Sequence, residues 1–288
     1  MEDYFLSLSA IKKMLADNNL RPNKSLGQHF LIDKNILQKI LQAAELTATD
    51  RVLEVGAGLG TLSLPLAARS AGLIAVEIDR GLFPLLQKQL QPYPHARAVR
   101  GDVRRFHLKK LCFDCWGESP VKVVANLPYY LTTPFLFQLL QEGPPLSLAV
   151  LMIQKEAALR LVAAPGTKEY GLSSILCSFY TKPAYPFPVP PTVFYPRPAV
   201  SSAVISLKPR EKPFLSGPRA DLFWQVVKTS FASRRKTLLN NLCQKFKLSR
   251  EILALEMLSL GIDELRRGES LSLEEFAKIT DLIYNIKS

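Results

Sequence analysis

Apolar residues in this chain follow two rhythms. In the N-terminal two thirds, short unbroken runs at 52–55, 73–78, 121–125 and 148–153 alternate with amphipathic segments. The unbroken runs suit strands buried on both faces, and the segments between them suit helices. Strand and helix in alternation predict an α/β, doubly wound, mostly parallel sheet. Ahead of this region, Leu6, Ile11 and Leu15 are spaced for one face of a helix over 4–20. Residues 21–30 read as irregular and polar. Asp33 is placed to cap a helix carrying Ile36, Leu37, Ile40 and Leu41.

After Gly171 the rhythm changes. Ser173 to Tyr180 reads as a strand, and prolines at 183, 186, 188, 190, 191, 196 and 198 then exclude helix and central strand. Val200 to Leu207 reads as a further, antiparallel strand. Residues 208–220, with Pro209, Pro213 and Pro218, read as a linker. From 221 to 288 the chain reads as helices only. Phe223, Val226, Val227 and Phe231 share one face, and later faces carry Ile252, Leu255, Leu258 and then Phe276, Ile279, Ile283. The expected organisation is a sheet domain over 1–210 and a helical domain over 211–288.

Composition narrows the class. With 288 residues, 48% of them hydrophobic, the chain can bury a sizeable core. It holds no apolar run of about eighteen residues, so no membrane span is expected, and the N-terminal residues lack the pattern of a signal peptide. Four sparse cysteines fit a reduced, cytoplasmic protein rather than a disulfide scaffold. Cys112 and Cys115 have zinc-like spacing but no second pair nearby, so no metal site is expected. The formal charge is +12, which favours a polyanionic partner. Its distribution is uneven: no acid occurs between Asp221 and Glu251, a stretch holding Lys228, Arg234, Arg235, Lys236, Lys245, Lys247 and Arg250. Arg234, Arg235 and Lys236, expected on a helix, are candidate phosphate contacts; a solvated helix face is the plainer alternative.

The candidate chemistry lies at the ends of the predicted strands. Val52 to Val55 runs into Gly56, Gly58 and Gly60, where missing side chains permit a tight turn and close approach of a ligand. The G-x-G-x-G spacing differs from that of dinucleotide folds and favours S-adenosylmethionine, which has no pyrophosphate. Glu77 ends the next strand and is placed to accept from two ribose hydroxyls, with Asp79 as its competitor. Asp102, after Gly101, is placed to accept from the amino group of a cofactor adenine.

Asn126-Leu127-Pro128-Tyr129 is the sharpest signal. The lone pair of adenine N6 is delocalised into the ring, so the nitrogen is a poor nucleophile. Two acceptors aimed at the amino hydrogens, the Asn126 side-chain oxygen and the Leu127 carbonyl, would localise that pair. Pro128 stiffens the turn, and Tyr129 can stack on the base. Phe194 could supply a second aromatic face, with Tyr195 as a rival and a core role as the alternative.

Taken together these motifs resemble the bacterial small-subunit ribosomal RNA adenine dimethyltransferases. The resemblance covers nearly the whole chain. It includes Lys24 to Leu31, the glycine turn, Asn-Leu-Pro-Tyr, Met152 to Glu156, the Phe194 loop and Phe231 to Leu238. It implies a Rossmann-like class I methyltransferase domain with a small all-helical C-terminal domain. It implies S-adenosyl-L-methionine as cofactor and N6,N6-dimethylation of two adjacent adenosines near the 3′ end of small-subunit rRNA, with a place in small-subunit biogenesis. Cofactor contacts would fall to His29, Leu31, Gly56, Gly58, Glu77, Asp102 and Asn126. The expected partner is small-subunit rRNA in a pre-small-subunit particle, met by a monomer. Two departures stand out. Many members carry Asn where this chain has His29, and Pro198-Ala199-Val200-Ser201-Ser202 replaces the usual Pro-Lys-Val-Asp-Ser. The rival readings are a resistance-type large-subunit rRNA methyltransferase, a non-catalytic RNA-binding assembly factor and a small-molecule methyltransferase.

Overall fold

The computed structural model describes residues 7–233 and 236–287. Helix α1 (Leu8–Asp17) is followed by β1 (Phe30–Leu31), α2 (Lys34–Ala43), β2 (Arg51–Val55), α3 (Ser63–Ala67), β3 (Gly72–Glu77), α4 (Leu82–Leu90) and β4 (Ala96–Arg100). Then come α5 (Leu108–Trp116), β5 (Val121–Asn126), α6 (Thr132–Glu142), β6 (Leu146–Gln154), α7 (Lys155–Leu161) and α8 (Leu172–Tyr180). The chain continues with β7 (Thr181–Val189), β8 (Phe194–Tyr195), β9 (Ser202–Pro209), α9 (Pro218–Phe231), α10 (Leu238–Phe246), α11 (Arg250–Ser259) and α12 (Leu273–Lys287).

The chain forms two compact units. One comprises 1–158 and 183–209, the other 159–182 and 210–288. The helical unit is therefore not one continuous stretch. Residues 159–182 join it because Tyr170, Ile175 and Phe179 are buried in the same apolar cluster as Phe223, Val226 and Phe276.

The sheet unit holds seven strands in the order β4-β3-β2-β5-β6-β9-β7. Five are parallel, and β9 returns antiparallel along β6. The strands are built as their apolar runs dictate, with β3 buried along its whole length. Strand β2 pairs with β3 on one side and β5 on the other, so the order reverses there. At such a reversal the connections leave in opposite directions, and a crevice opens at the carboxyl ends of the strands. Asp33 caps α2 by accepting from the Ile36 amide at 2.9 Å. A second, two-stranded sheet pairs Phe30 with Tyr195 and Leu31 with Phe194, tying the N-terminal segment to the proline-rich loop.

Several local expectations change. Ser173 to Tyr180 forms the helix α8, not a strand. Its buried residues Ser174, Ile175, Leu176, Cys177 and Phe179 leave no polar face, so its short apolar run does not distinguish the two states. The Ser174 hydroxyl accepts from the Gly171 amide at 3.1 Å and donates to the Arg160 carbonyl at 2.6 Å. The prolines at 183, 186 and 188 lie on β7, an edge strand, the place in a sheet where proline is tolerated. The linker shortens to 210–217, between β9 and α9. Ser233 and Lys236 lie between α9 and α10 rather than on a helix; Arg234 and Arg235 lie outside the described residues.

On α11 the buried residues are Leu253 and Met257, while Ile252, Leu255 and Leu258 are 56–70% exposed. Both sets fit helical spacing, and only the neighbouring α10 selects between them. Met257→Ala is therefore expected to cost about 2–5 kcal/mol, and Leu255→Gln to stay within about 0.5 kcal/mol of wild type. Denaturant midpoints measure both; equal losses would refute this assignment of faces.

Candidate active site

The crevice predicted by the strand reversal is an open cleft at the carboxyl ends of the strands. Its lining includes His29, Leu31, Gly56, Gly58, Glu77, Asp102, Asn126, Leu127, Pro128, Tyr129 and Phe194. Every residue expected from sequence to touch cofactor or base is thus in one place. The expected phosphate contacts are not part of this lining. Lys236 is exposed and reaches Gln244 Oε1 at 3.4 Å, and Arg234 and Arg235 lie outside the described residues.

The floor is the turn after β2. Gly56 and Gly58 take φ of +73° and +57°, a region that disfavours side chains. A Cβ on Gly58 would also stand 3.3 Å from the Phe30 ring. This turn aims the Gly58 amide at Glu77 Oε2, 2.6 Å away, while the Asp79 amide donates to Glu77 Oε1 at 2.7 Å. Burial raises the Glu77 carboxyl above its usual range, and these two amides pull it back. Each clasped oxygen retains a second lone pair for a ligand hydroxyl. Asp79, the competitor, is used otherwise. Its Oδ1 accepts from the Gly81 and Leu82 amides, at 2.7 and 3.2 Å, and its Oδ2 accepts from Gln28 Nε2 at 2.8 Å.

The far wall is the turn after β5. Asn126 Nδ2 donates to the His29 carbonyl at 3.0 Å, which fixes the carboxamide and leaves Oδ1 as its spare acceptor. The Leu127 amide donates to the Met152 carbonyl at 3.0 Å, so β6 holds the peptide that precedes Pro128. The Tyr129 hydroxyl and Ser202 Oγ are 3.0 Å apart, and its ring stacks on His29 at 6.0 Å between centroids. Burial raises the Tyr129 phenol above its usual range. His29 Nδ1 lies 2.7 Å from the Pro196 carbonyl; a carbonyl only accepts, so this nitrogen carries the hydrogen. Phe194 is buried in the sheet unit's core and also lines the cleft. Tyr195 packs instead against the cluster of Ile11, Leu15 and Phe30.

Sequence reading missed Glu54. It sits in the apolar run of β2, is 1% exposed and lines the cleft. Its Oε2 has no hydrogen-bond partner. Burial, with the charge of Glu77 beside it, pushes its carboxyl up to about 8 against a pull from Ser63. A charged residue type inside a strand buried on both faces was the available signal. Ser202, which holds Tyr129, was also missed; its partner lies 73 residues away in sequence.

The cleft fits S-adenosylmethionine on its own features. A glycine turn leaves room for a ligand to approach, the two clasped Glu77 oxygens could accept from ribose hydroxyls, and the unpartnered Glu54 oxygen could accept from an ammonium group. Among the described residues no group of three or more metal-ligating side chains occurs.

The chain is similar to known proteins over most of its length. A family model described as ribosomal RNA adenine dimethylase matches residues 19–285. The ribosomal RNA small subunit methyltransferase A of Alkaliphilus metalliredigens is 43% identical over 279 residues, covering 96% of this chain and 97% of that protein. The crystal structure of a dimethyladenosine transferase from Plasmodium falciparum superposes with a TM-score of 0.75 at 26% identity, over 90% of this chain and 98% of that one. The 23S rRNA methyltransferase ErmE, at 23% identity and a TM-score of 0.71 over 88% of this chain and 99% of its own, shows the fold alone.

The state of Glu54 is open to titration. The native carboxyl keeps its proton between the ordinary value of 4.5 and about 8, where the unfolded chain has lost it. Wild-type stability relative to Glu54→Gln should therefore fall through that window as pH rises, by up to about 1.4 kcal/mol per unit, and level off on either side. Melting curves of the two cofactor-free proteins from acid to alkaline pH provide the check. Parallel curves would exclude a neutral buried acid.

Proposed function

Because the chain belongs to the ribosomal RNA adenine dimethylase family, we propose that its cleft holds S-adenosylmethionine beside an adenosine extruded from small-subunit rRNA. The protein is an rRNA adenine N6,N6-dimethyltransferase. The finer reading is that it acts as a cytoplasmic monomer on two adjacent adenosines near the 3′ end, within an assembling small subunit. Among the described residues no helix is long and apolar enough to cross a membrane.

When bound, S-adenosylmethionine supplies an electrophilic methyl on a sulfonium; the chain's own residues do the rest. Glu77 accepts from the ribose hydroxyls, Asp102 from the adenine amino group, and Glu54 from the ammonium of the methionine end. Gly56, Gly58, His29 and Leu31 line the same cleft.

On the substrate side, Asn126 Oδ1 and the Leu127 carbonyl accept from the two hydrogens of adenine N6. This draws the nitrogen out of conjugation and aims its lone pair at the methyl. The observation that carries this reading is the Asn126 Nδ2 bond to the His29 carbonyl, which commits the amide's donor end and frees its acceptor. Tyr129, half-buried and anchored through Ser202, presents its ring to the extruded base, and Phe194 closes the site from the core side. The Asn126 carboxamide cannot act as a strong base, so the proton leaves to solvent after transfer. Orientation and electrostatic preorganisation supply the rate without a covalent intermediate. Arg234, Arg235 and Lys236 are assigned to rRNA phosphates, supported by the acid-free stretch around them.

Labelled S-adenosylmethionine, offered with unmethylated small subunits, large subunits or a small-molecule amine, tests the reading. The expected product is N6,N6-dimethyladenosine in small subunits alone. Asn126→Ala should slow transfer by about 10²–10³-fold, the loss typical of a removed preorganised contact. Label in large-subunit RNA would favour the resistance-type activity instead. Tyr129→Ala is expected to cost more than Phe194→Leu, because Tyr129 is the more accessible ring.

A further inference from the structure

Asp102, the carboxylate assigned above to the cofactor adenine, already has a partner. Its Oδ1 accepts from the Arg104 amide and from Arg104 Nε, both at 3.0 Å. Its Oδ2 accepts from Arg104 Nη2 at 2.6 Å and lies 3.1 Å from Nε. Hydrogen bonding to the guanidinium holds the Asp102 carboxyl below its usual range. The same guanidinium lies 5.8 Å from the centre of the Tyr130 ring. Arg104 and Tyr130 are 49% and 45% exposed, whereas Asp102 is 15% exposed and lines the cleft together with Tyr130. One guanidinium therefore reaches both the inside of the cleft and its outer edge.

A carboxylate offers about four lone-pair positions, and Arg104 directs an N–H at most of them. An adenine amino group needs one. The Arg104 amide bond does not depend on the guanidinium, so Asp102 keeps its place if the side chain swings away. An exposed ion pair of this kind is weakly held, and a phosphate matches a guanidinium in the same two-pronged way as a carboxylate.

We propose that the cofactor's adenine displaces the Arg104 guanidinium from Asp102, and that the freed guanidinium, retained at the rim by Tyr130, takes a backbone phosphate of the RNA substrate. Cofactor and RNA then bind with positive coupling, and the coupling is the same in both directions. This rests on the assignment of Asp102 to the cofactor adenine.

The test uses the full-length protein, S-adenosylhomocysteine as a non-reacting cofactor probe and unmethylated small ribosomal subunits. Calorimetry gives the affinity for the probe, and sedimentation gives subunit affinity with and without it. Arg104→Ala should bind S-adenosylhomocysteine several-fold more tightly than wild type. It should bind subunits several-fold more weakly, with a salt dependence shallower by about one ion. S-adenosylhomocysteine should strengthen subunit binding in wild type and leave it unchanged in the variant. Weaker cofactor binding by Arg104→Ala would overturn the proposal, since Arg104 would then support Asp102 rather than compete for it. Equal coupling in both proteins would also overturn it. Asp102→Asn separates the two layers: if it leaves affinity for S-adenosylhomocysteine unchanged, the cofactor assignment itself fails.

Discussion

The cleft depends on one carboxylate being held where two turns meet. Glu77 accepts from Gly58 on the turn after β2 and from Asp79 on the turn after β3, so two strand ends are fixed by a single side chain. The bonds also decide charge. Glu77 receives two amides that favour its ionised form, whereas the neighbouring Glu54 is buried with an oxygen unmatched and its carboxyl pushed up to about 8. Two acids side by side in an apolar setting are thus driven apart by their partners.

The catalytic wall is built on the same principle of committing one end of a group to free the other. The Asn126 amide gives its N–H to His29, the Tyr129 hydroxyl is taken by Ser202, and His29 spends its Nδ1 hydrogen on Pro196. The two-stranded ladder of β1 and β8 brings His29 and Pro196 together across most of the sheet unit's sequence. Each of these side chains is therefore held in a fixed orientation by a partner within the fold.

Much of this was legible because a parallel α/β sheet puts its chemistry at strand ends, and strand ends can be read from short apolar runs. Gly56, Glu77 and Asn126 each lie at the end of such a run, whereas Asp102 follows the mixed strand β4. What sequence could not supply were partners brought from far away. Gln28, 51 residues from Asp79, occupies one of its carboxylate oxygens, and Ser202, 73 residues from Tyr129, meets its hydroxyl. Helix α8 and the buried face of α11 were misread for a related reason. Period alone leaves a short apolar run ambiguous between helix and strand, and leaves two stripes on one helix equally plausible until the neighbouring elements are known. Glu54 was visible as an acid within a buried strand but looked like an ordinary part of the glycine motif.

The proline-bearing strand β7 has a bearing on how copies of this chain treat one another. A sheet invites growth wherever an edge offers a free row of amides. On β7, prolines at 183, 186 and 188 interrupt the strand's backbone donors, and on the opposite edge strand, β4, Arg97 and Arg100 are exposed. One margin of the sheet thus has its run of donors interrupted and the other is flanked by positive charge, without the sheet being curled into a barrel.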